Sequence, residues 1–226
     1  MQLAAVLLAR VLGLVETYDL NPRGVTFGPD LMAGIVQRFK FQKFPQKLDG
    51  MDEQKGIEFL EGTWNGINVM RLTIYSGAIN IDTRSSTDDS KRIIHEALAW
   101  ASEKFKLHYR PDMIKRWRYL SQITLYSDVP ILGGEDDPTA ALLNRISKSV
   151  EQIIEQPFSH HPVRLDIDFP RFERSLPIAP FTLQRRTDVP YSENKYFSEA
   201  PLPTSLHYSL LEQYESDLLA ASTTTK

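Results

Sequence analysis

A chain of 226 residues with 42% hydrophobic and 24% charged side chains can bury a sizeable core and resembles neither a disordered nor a fibrous sequence. Its net charge of −3 and pI near 6.0 exclude a uniformly basic nucleic-acid coat, so any polyanion would have to be met by a local patch. The absence of cysteine removes disulfides, cysteine-ligated zinc, iron–sulfur clusters and thiol nucleophiles together, and suits a cytoplasmic protein.

The run from Leu3 to Val15 is apolar but is broken by Arg10 and follows no basic stretch. It reads as a buried first strand or short helix, not as a signal peptide. No stretch approaches the roughly 20 apolar residues of a membrane span, so no membrane partner is expected. A helix is expected from about Pro29 to Arg38. Asn65-Gly66 then favours the two positive φ angles of a type I′ turn, which predicts a hairpin with arms Gly56 to Trp64 and Ile67 to Tyr75. Met70, Leu72 and Ile74 alternate onto one face of the second arm. Ser76-Gly77 offers a second tight turn into Ala78 to Thr83, completing a β-meander over 56–84.

Ser86, with Asp89 three residues on, forms a helix start, and Ile93, Ile94, Ala97, Leu98 and Ala101 give that helix one apolar face as far as Lys106. A strand is expected over Tyr119 to Tyr126. A helix from Asp137-Pro138 to about Gln156 carries Leu142, Leu143, Ile146, Val150, Ile153 and Ile154 toward a core. Val163 to Phe169 alternates apolar residues with Arg164, Asp166 and Asp168, predicting a strand with one buried and one wet face. Leu176 to Arg186 reads as an edge strand because Pro177 and Pro180 lack ladder donors. Tyr191 to Pro203 reads as an extended apolar segment suited to wrapping over its own fold or a partner. A last helix from Thr204 carries Leu206, Leu210, Leu211, Tyr214 and Leu218 on one stripe, and residues 223–226 form a disordered tail. Leu72-Thr73-Ile74-Tyr75-Ser76 is echoed by Ile123-Thr124-Leu125-Tyr126-Ser127, each followed by paired aspartates and a helix, a pattern that fits convergent strand composition or, alternatively, an internal duplication. These elements predict a single α+β domain over residues 1–222, with a weak subdivision near 110–120. Its sheet is mostly antiparallel, with about four helices mainly on one face.

No phosphate-binding glycine loop, dinucleotide fingerprint, nucleophile elbow or His-Glu-x-x-His helix occurs. Asp166 and Asp168 would share one face of an extended strand and could ligate Mg²⁺ or Mn²⁺, given a third donor such as Glu58, Asp82, Asp136 or Asp137. Arg164 on the same face offers the plainer role of counter-charge. His160 and His161 would point to opposite sides of an extended chain, and Glu135-Asp136-Asp137-Pro138 suits a helix start. Gly133-Gly134 could cradle an anion, although the acidic residues after it oppose one. His207 with Ser209 is half of a paired phosphoesterase pattern without its second copy.

Two stretches mix cations with aromatic rings: Arg38, Lys40 and Lys43 among Phe39, Phe41 and Phe44, and Arg110, Lys115, Arg116 and Arg118 around Trp117. Cations neutralise phosphate while rings stack on exposed bases, which suits a nucleotide or single-stranded nucleic acid. The same composition also forms a basic face for an acidic protein surface. The leading expectation is a non-catalytic interaction or adaptor subunit of a homo- or hetero-oligomeric complex. The alternative is a nucleotide or single-stranded nucleic-acid binding or processing protein using the basic-aromatic stretches, with a metal at Asp166 and Asp168.

Overall fold

Asn65 and Gly66 both take positive φ, 46° and 83°, as a type I′ hairpin turn requires. The strands they join, Ile57–Trp64 and Ile67–Tyr75, belong to a protein whose structure, a computed structural model, describes residues 1–24, 26, 28–46, 55–132, 138–154, 163–169 and 178–224. In chain order these residues form β1 (Gln2–Leu14), α1 (Thr17–Leu20), α2 (Gly28–Phe39), β2 (Ile57–Trp64), β3 (Ile67–Tyr75), β4 (Ala78–Thr83) and α3 (Thr87–Phe105). The second half adds β5 (Arg116–Tyr126), α4 (Pro138–Ile154), β6 (Arg164–Ile167), β7 (Phe181–Arg185), β8 (Lys195–Ala200) and α5 (Thr204–Thr224). The expected α+β class holds: the strands make one antiparallel sheet in the order β2-β3-β4-β1-β5-β8-β7-β6. No helix among the described residues is long and apolar enough to cross a membrane.

The chain gathers into two compact units. The first comprises Val6–Ile123 with Ala200–His207. Its sheet face of Val11, Phe59, Leu72, Ile79 and Ile81 packs against Ile35 and Phe39 of α2 and Ile93, Ile94 and Leu98 of α3. Helix α3 begins and ends where its sequence directs: the Ser86 hydroxyl accepts the Asp89 amide at 3.0 Å, and Lys106 closes it in the left-handed region. Thr87 and Thr204 cap each other's helices, each hydroxyl accepting the other's amide at 3.1 and 2.8 Å. Gly62 is where the chain tolerates no side chain, because a Cβ there would lie 2.5 Å from the Phe41 ring and 2.9 Å from the Phe39 carbonyl oxygen.

Between α2, α3 and the sheet of this unit lies a cavity of about 160 Å³.

The second unit comprises Met1–Ala5, Thr124–Glu199 and Tyr208–Lys226. Tyr196 and Ser198 alternate into the buried side of β8, and the Tyr196 hydroxyl accepts the Ile131 amide at 3.2 Å.

Several expectations are corrected. Only the second half of β1 is buried, because β4 pairs with Ala9–Leu14 alone. A register shift between Val69 and Arg71 turns Val69 into the core in place of Met70. The segment expected to wrap, Tyr191 to Pro203, contributes an interior strand, β8. β7 is not an edge strand: Pro180 falls just before its first ladder residue, so no donor is lost, and β6 takes the edge. The apolar side of β6 is not buried, with Leu165 42% and Ile167 47% exposed. On α4, Ile146 and Ile153 are exposed. Helix α5 runs through Thr224, so Thr223 and Thr224 are helical where a tail was expected.

Candidate functional site

The first basic-aromatic stretch closes α2 and is held by its own fold. Phe39 and Phe41 are buried and stack at 5.3 Å between ring centres, and Phe41 meets Phe59 at 5.5 Å. These rings are core and offer no face to a base. The Arg38 guanidinium lies 4.5 Å from the centre of the Trp64 ring and 4.8 Å from that of Trp100, a cation–π placement. Lys40 takes the left-handed φ of 55° that ends the helix, and Lys43 pairs with Glu61 at 2.5 Å.

The second stretch divides across β5. Trp117 turns toward α3, 5.2 Å from the His95 ring with the Lys91 ammonium 5.0 Å away, and Ser121 bonds His207 on the same side. Alternation sends Arg116 and Arg118 to the opposite face. Arg110 pairs with Asp112 at 3.3 Å. Among the described residues no carboxylate pairs with Lys115, Arg116 or Arg118, and the buried Nε of Arg118 has no hydrogen-bond partner. On the strands β1 to β4, the face turned away from the helices carries Arg10, Asp82 and Arg71 in cross-strand register, with Glu58 diagonal to Arg71. Arg10 grips Asp82 through Nε at 2.8 Å and Nη2 at 2.7 Å, and Arg71 pairs with Glu58 at 3.0 Å. That row satisfies itself.

Asp166 sits in β6, but both of its oxygens are engaged. Arg164 Nε reaches Oδ2 at 2.6 Å and the Thr182 hydroxyl donates to Oδ1 at 2.8 Å. The Arg164 bond, then that of Thr182, holds the Asp166 carboxyl below its usual value. Asp168 lies beyond the end of the strand and accepts the Phe169 amide at 2.9 Å. Glu58 and Asp82 have arginine partners, and among the described residues no three His, Asp or Glu side chains gather where an ion could bind. Gly133, Gly134, Glu135, Asp136, Asp137, His160 and His161 lie outside the described residues.

Helix α5 presents the face its leucines did not predict. Leu206, Leu210 and Tyr214 are 45%, 51% and 38% exposed, whereas Thr204, His207, Leu211 and Glu215 are buried. Leu211 is the one member of the expected stripe that is fully buried. In the first unit, His207 Nδ1 lies 2.7 Å from the Ser121 hydroxyl, and burial pushes the imidazole pKa down to about 4. Ser209, its partner in the sequence pattern, is exposed. In the second unit, Glu215 accepts the Ser127 hydroxyl at 2.5 Å and the Asp128 amide at 2.8 Å, and the Met1 ammonium lies 2.5 Å from its other oxygen. The four-residue spacing of His207, Leu211 and Glu215 was the available signal for this face.

The second unit also leaves large apolar side chains outward. Val163, Leu165 and Ile167 are 50%, 42% and 47% exposed in and beside β6, which ends the sheet. The opposite edge is treated differently: Leu60 of β2 donates its amide to the Lys43 carbonyl at 2.8 Å and accepts the Lys43 amide at 3.3 Å, so that edge is partly covered. Comparison of the chain with family models, with curated proteins and with solved structures finds no match.

Proposed function

We propose that the chain is a non-catalytic interaction subunit that associates through the open edge of β6. The observation that carries this reading is a strand that is the edge of the sheet among the described residues, with three large apolar residues exposed in and beside it, a combination that proteins generally cover or charge. The sequence of that edge is complementary to itself. The Arg185 amide donates to the Val163 carbonyl at 2.9 Å, so the backbone groups of Val163, Leu165 and Ile167 face β7 and those of Arg164 and Asp166 face outward. A second β6 running antiparallel and centred on Leu165 sets Arg164 opposite the partner's Asp166 and stacks Leu165 on its own copy. Shifting by one ladder step either way opposes Arg164 to its copy or Asp166 to its copy, which is unfavourable. Charge thus disfavours the register centred on Arg164, and the one centred on Asp166 is offset only in part, by Arg164 facing the partner's Asp168.

Sedimentation equilibrium over a concentration series tests this. A dimer is expected, with Leu165→Lys raising its dissociation constant at least about ten-fold, equivalent to about 1.4 kcal/mol. A wild-type monomer at every concentration, or unchanged association in Leu165→Lys, contradicts it.

A second reading, binding of single-stranded nucleic acid or a nucleotide, is favoured by one observation: Lys115, Arg116 and Arg118 at the start of β5 pair with no carboxylate among the described residues. It predicts oligonucleotide binding that weakens with salt and loses about one unit of log–log salt slope in Arg116→Ala. No binding at low salt, or a slope unchanged by the substitution, rejects it. Mg²⁺ or Mn²⁺ at Asp166 belongs to this reading alone and would have to displace Arg164 and Thr182.

A further inference from the structure

We propose that the cavity of the first unit is a binding site for a small, neutral, apolar molecule of about the size of one aromatic ring. The cavity reaches inward from the half-exposed Thr17 and Leu31 to Ile81, Ile94 and Phe39, which are wholly or almost wholly buried. Its volume of about 160 Å³ matches the roughly 150 Å³ of an apolar cavity that stays dry and accepts benzene. Water is a poor occupant, because it needs two to four polar partners and the deep walls are isoleucine, leucine and phenylalanine.

The polar side chains near the mouth are already engaged. The Thr26 hydroxyl donates to the Phe105 carbonyl at 2.5 Å, and Asn21 exchanges bonds with the Thr26 backbone at 3.2 Å in both directions. The Thr17 hydroxyl donates to the Ser76 carbonyl at 3.0 Å. Among the described residues no charged side chain lines the space. An ionised ligand would lose its hydration without compensation, while a neutral ring restores the dispersion contacts that the walls lack. Ala97 of α3, a helix position on the cavity wall, is where added methyl groups would take the ligand's place.

The test is titration of toluene into the full chain, followed on the isoleucine and leucine methyl resonances. Saturable shifts and intermolecular Overhauser effects are expected at Ile79, Ile81 and Ile94, with no such response to benzoate, the same ring carrying a charge. Ala97→Leu should raise Tm and weaken toluene binding at least ten-fold. The absence of saturable shifts up to the solubility of toluene would overturn the proposal, as would an equal response to benzoate or unweakened binding in a folded Ala97→Leu. If that variant does not fold, the wild-type Overhauser pattern decides: contacts to those three isoleucines support the site and contacts elsewhere reject it.

Discussion

Lowering the pH from 7 to 4 is expected to remove about 3 kcal/mol of stability through His207 alone, at about 1.4 kcal/mol for each unit by which a pKa is shifted. Its imidazole titrates at 6.5 when exposed and at about 4 in the fold. Between those values the unfolded chain binds a proton that the folded chain refuses. Stability is therefore full above pH 6.5, falls as the pH drops through the window and levels off below about 4. The cause is burial in the first unit, where Ser121 is the hydrogen-bonding neighbour and a charged ring would lose its hydration. Guanidinium unfolding midpoints at pH 7, 5.5 and 4 measure the limb. His207→Gln, which is close in volume and uncharged at every pH, should flatten it while costing about 1 kcal/mol at pH 7 for the altered bond to Ser121. An unchanged slope in that variant would assign the acid sensitivity elsewhere.

The second large effect is at Glu215, where Glu215→Leu is expected to destabilise the chain by about 3 kcal/mol, within the range for breaking a buried charged network. The carboxylate is 4% exposed, and leucine would strand the Ser127 hydroxyl and Asp128 amide that now donate to it. Burial pushes this carboxyl up. The bonds from the Met1 ammonium, Ser127 and the Asp128 amide outweigh that push and hold it below 4.5. A depressed carboxylate contributes stability above its unfolded pKa and loses it as the pH falls below about 4.5, under the window of His207. Glu215→Gln retains an acceptor and should cost about 1 kcal/mol. A denaturation midpoint for Glu215→Leu within about 0.5 kcal/mol of wild type would show that the network contributes little.

The meander and α3 were legible because every signal was local. Asn65-Gly66 sets its own turn, Ser86 caps with an amide three residues away, and period-two alternation fixes β3 and β4 except where the shift at Val69 intervenes. Helix α5 was legible as a helix but not as a face. Its leucines satisfy helical spacing in two directions, and the choice is made by Ser121 and Ser127, 86 and 88 residues from the side chains they bond. Arg38 and Phe39 show the same limit from the other side. A cation-aromatic run has one composition whether its rings stack on a ligand or, as here, on Phe41 and Trp64. In β6 the alternation was readable, yet what covers an apolar side depends on the neighbouring elements, and no sequence period reports it.

Association through β6 is tested most directly by exchanging its two charges. Arg164→Asp alone places aspartate against the partner's Asp166, and Asp166→Arg alone places arginine against the partner's Arg164, so each should lower the dimer fraction at fixed concentration. The double variant Arg164→Asp/Asp166→Arg restores opposite charges in the same register. Sedimentation equilibrium should show the double variant returning to within about two-fold of the wild-type dissociation constant while each single variant stays at least about ten-fold weaker. Equal dissociation constants for all four proteins, or a double variant weaker than either single one, would contradict pairing of β6 with its own copy.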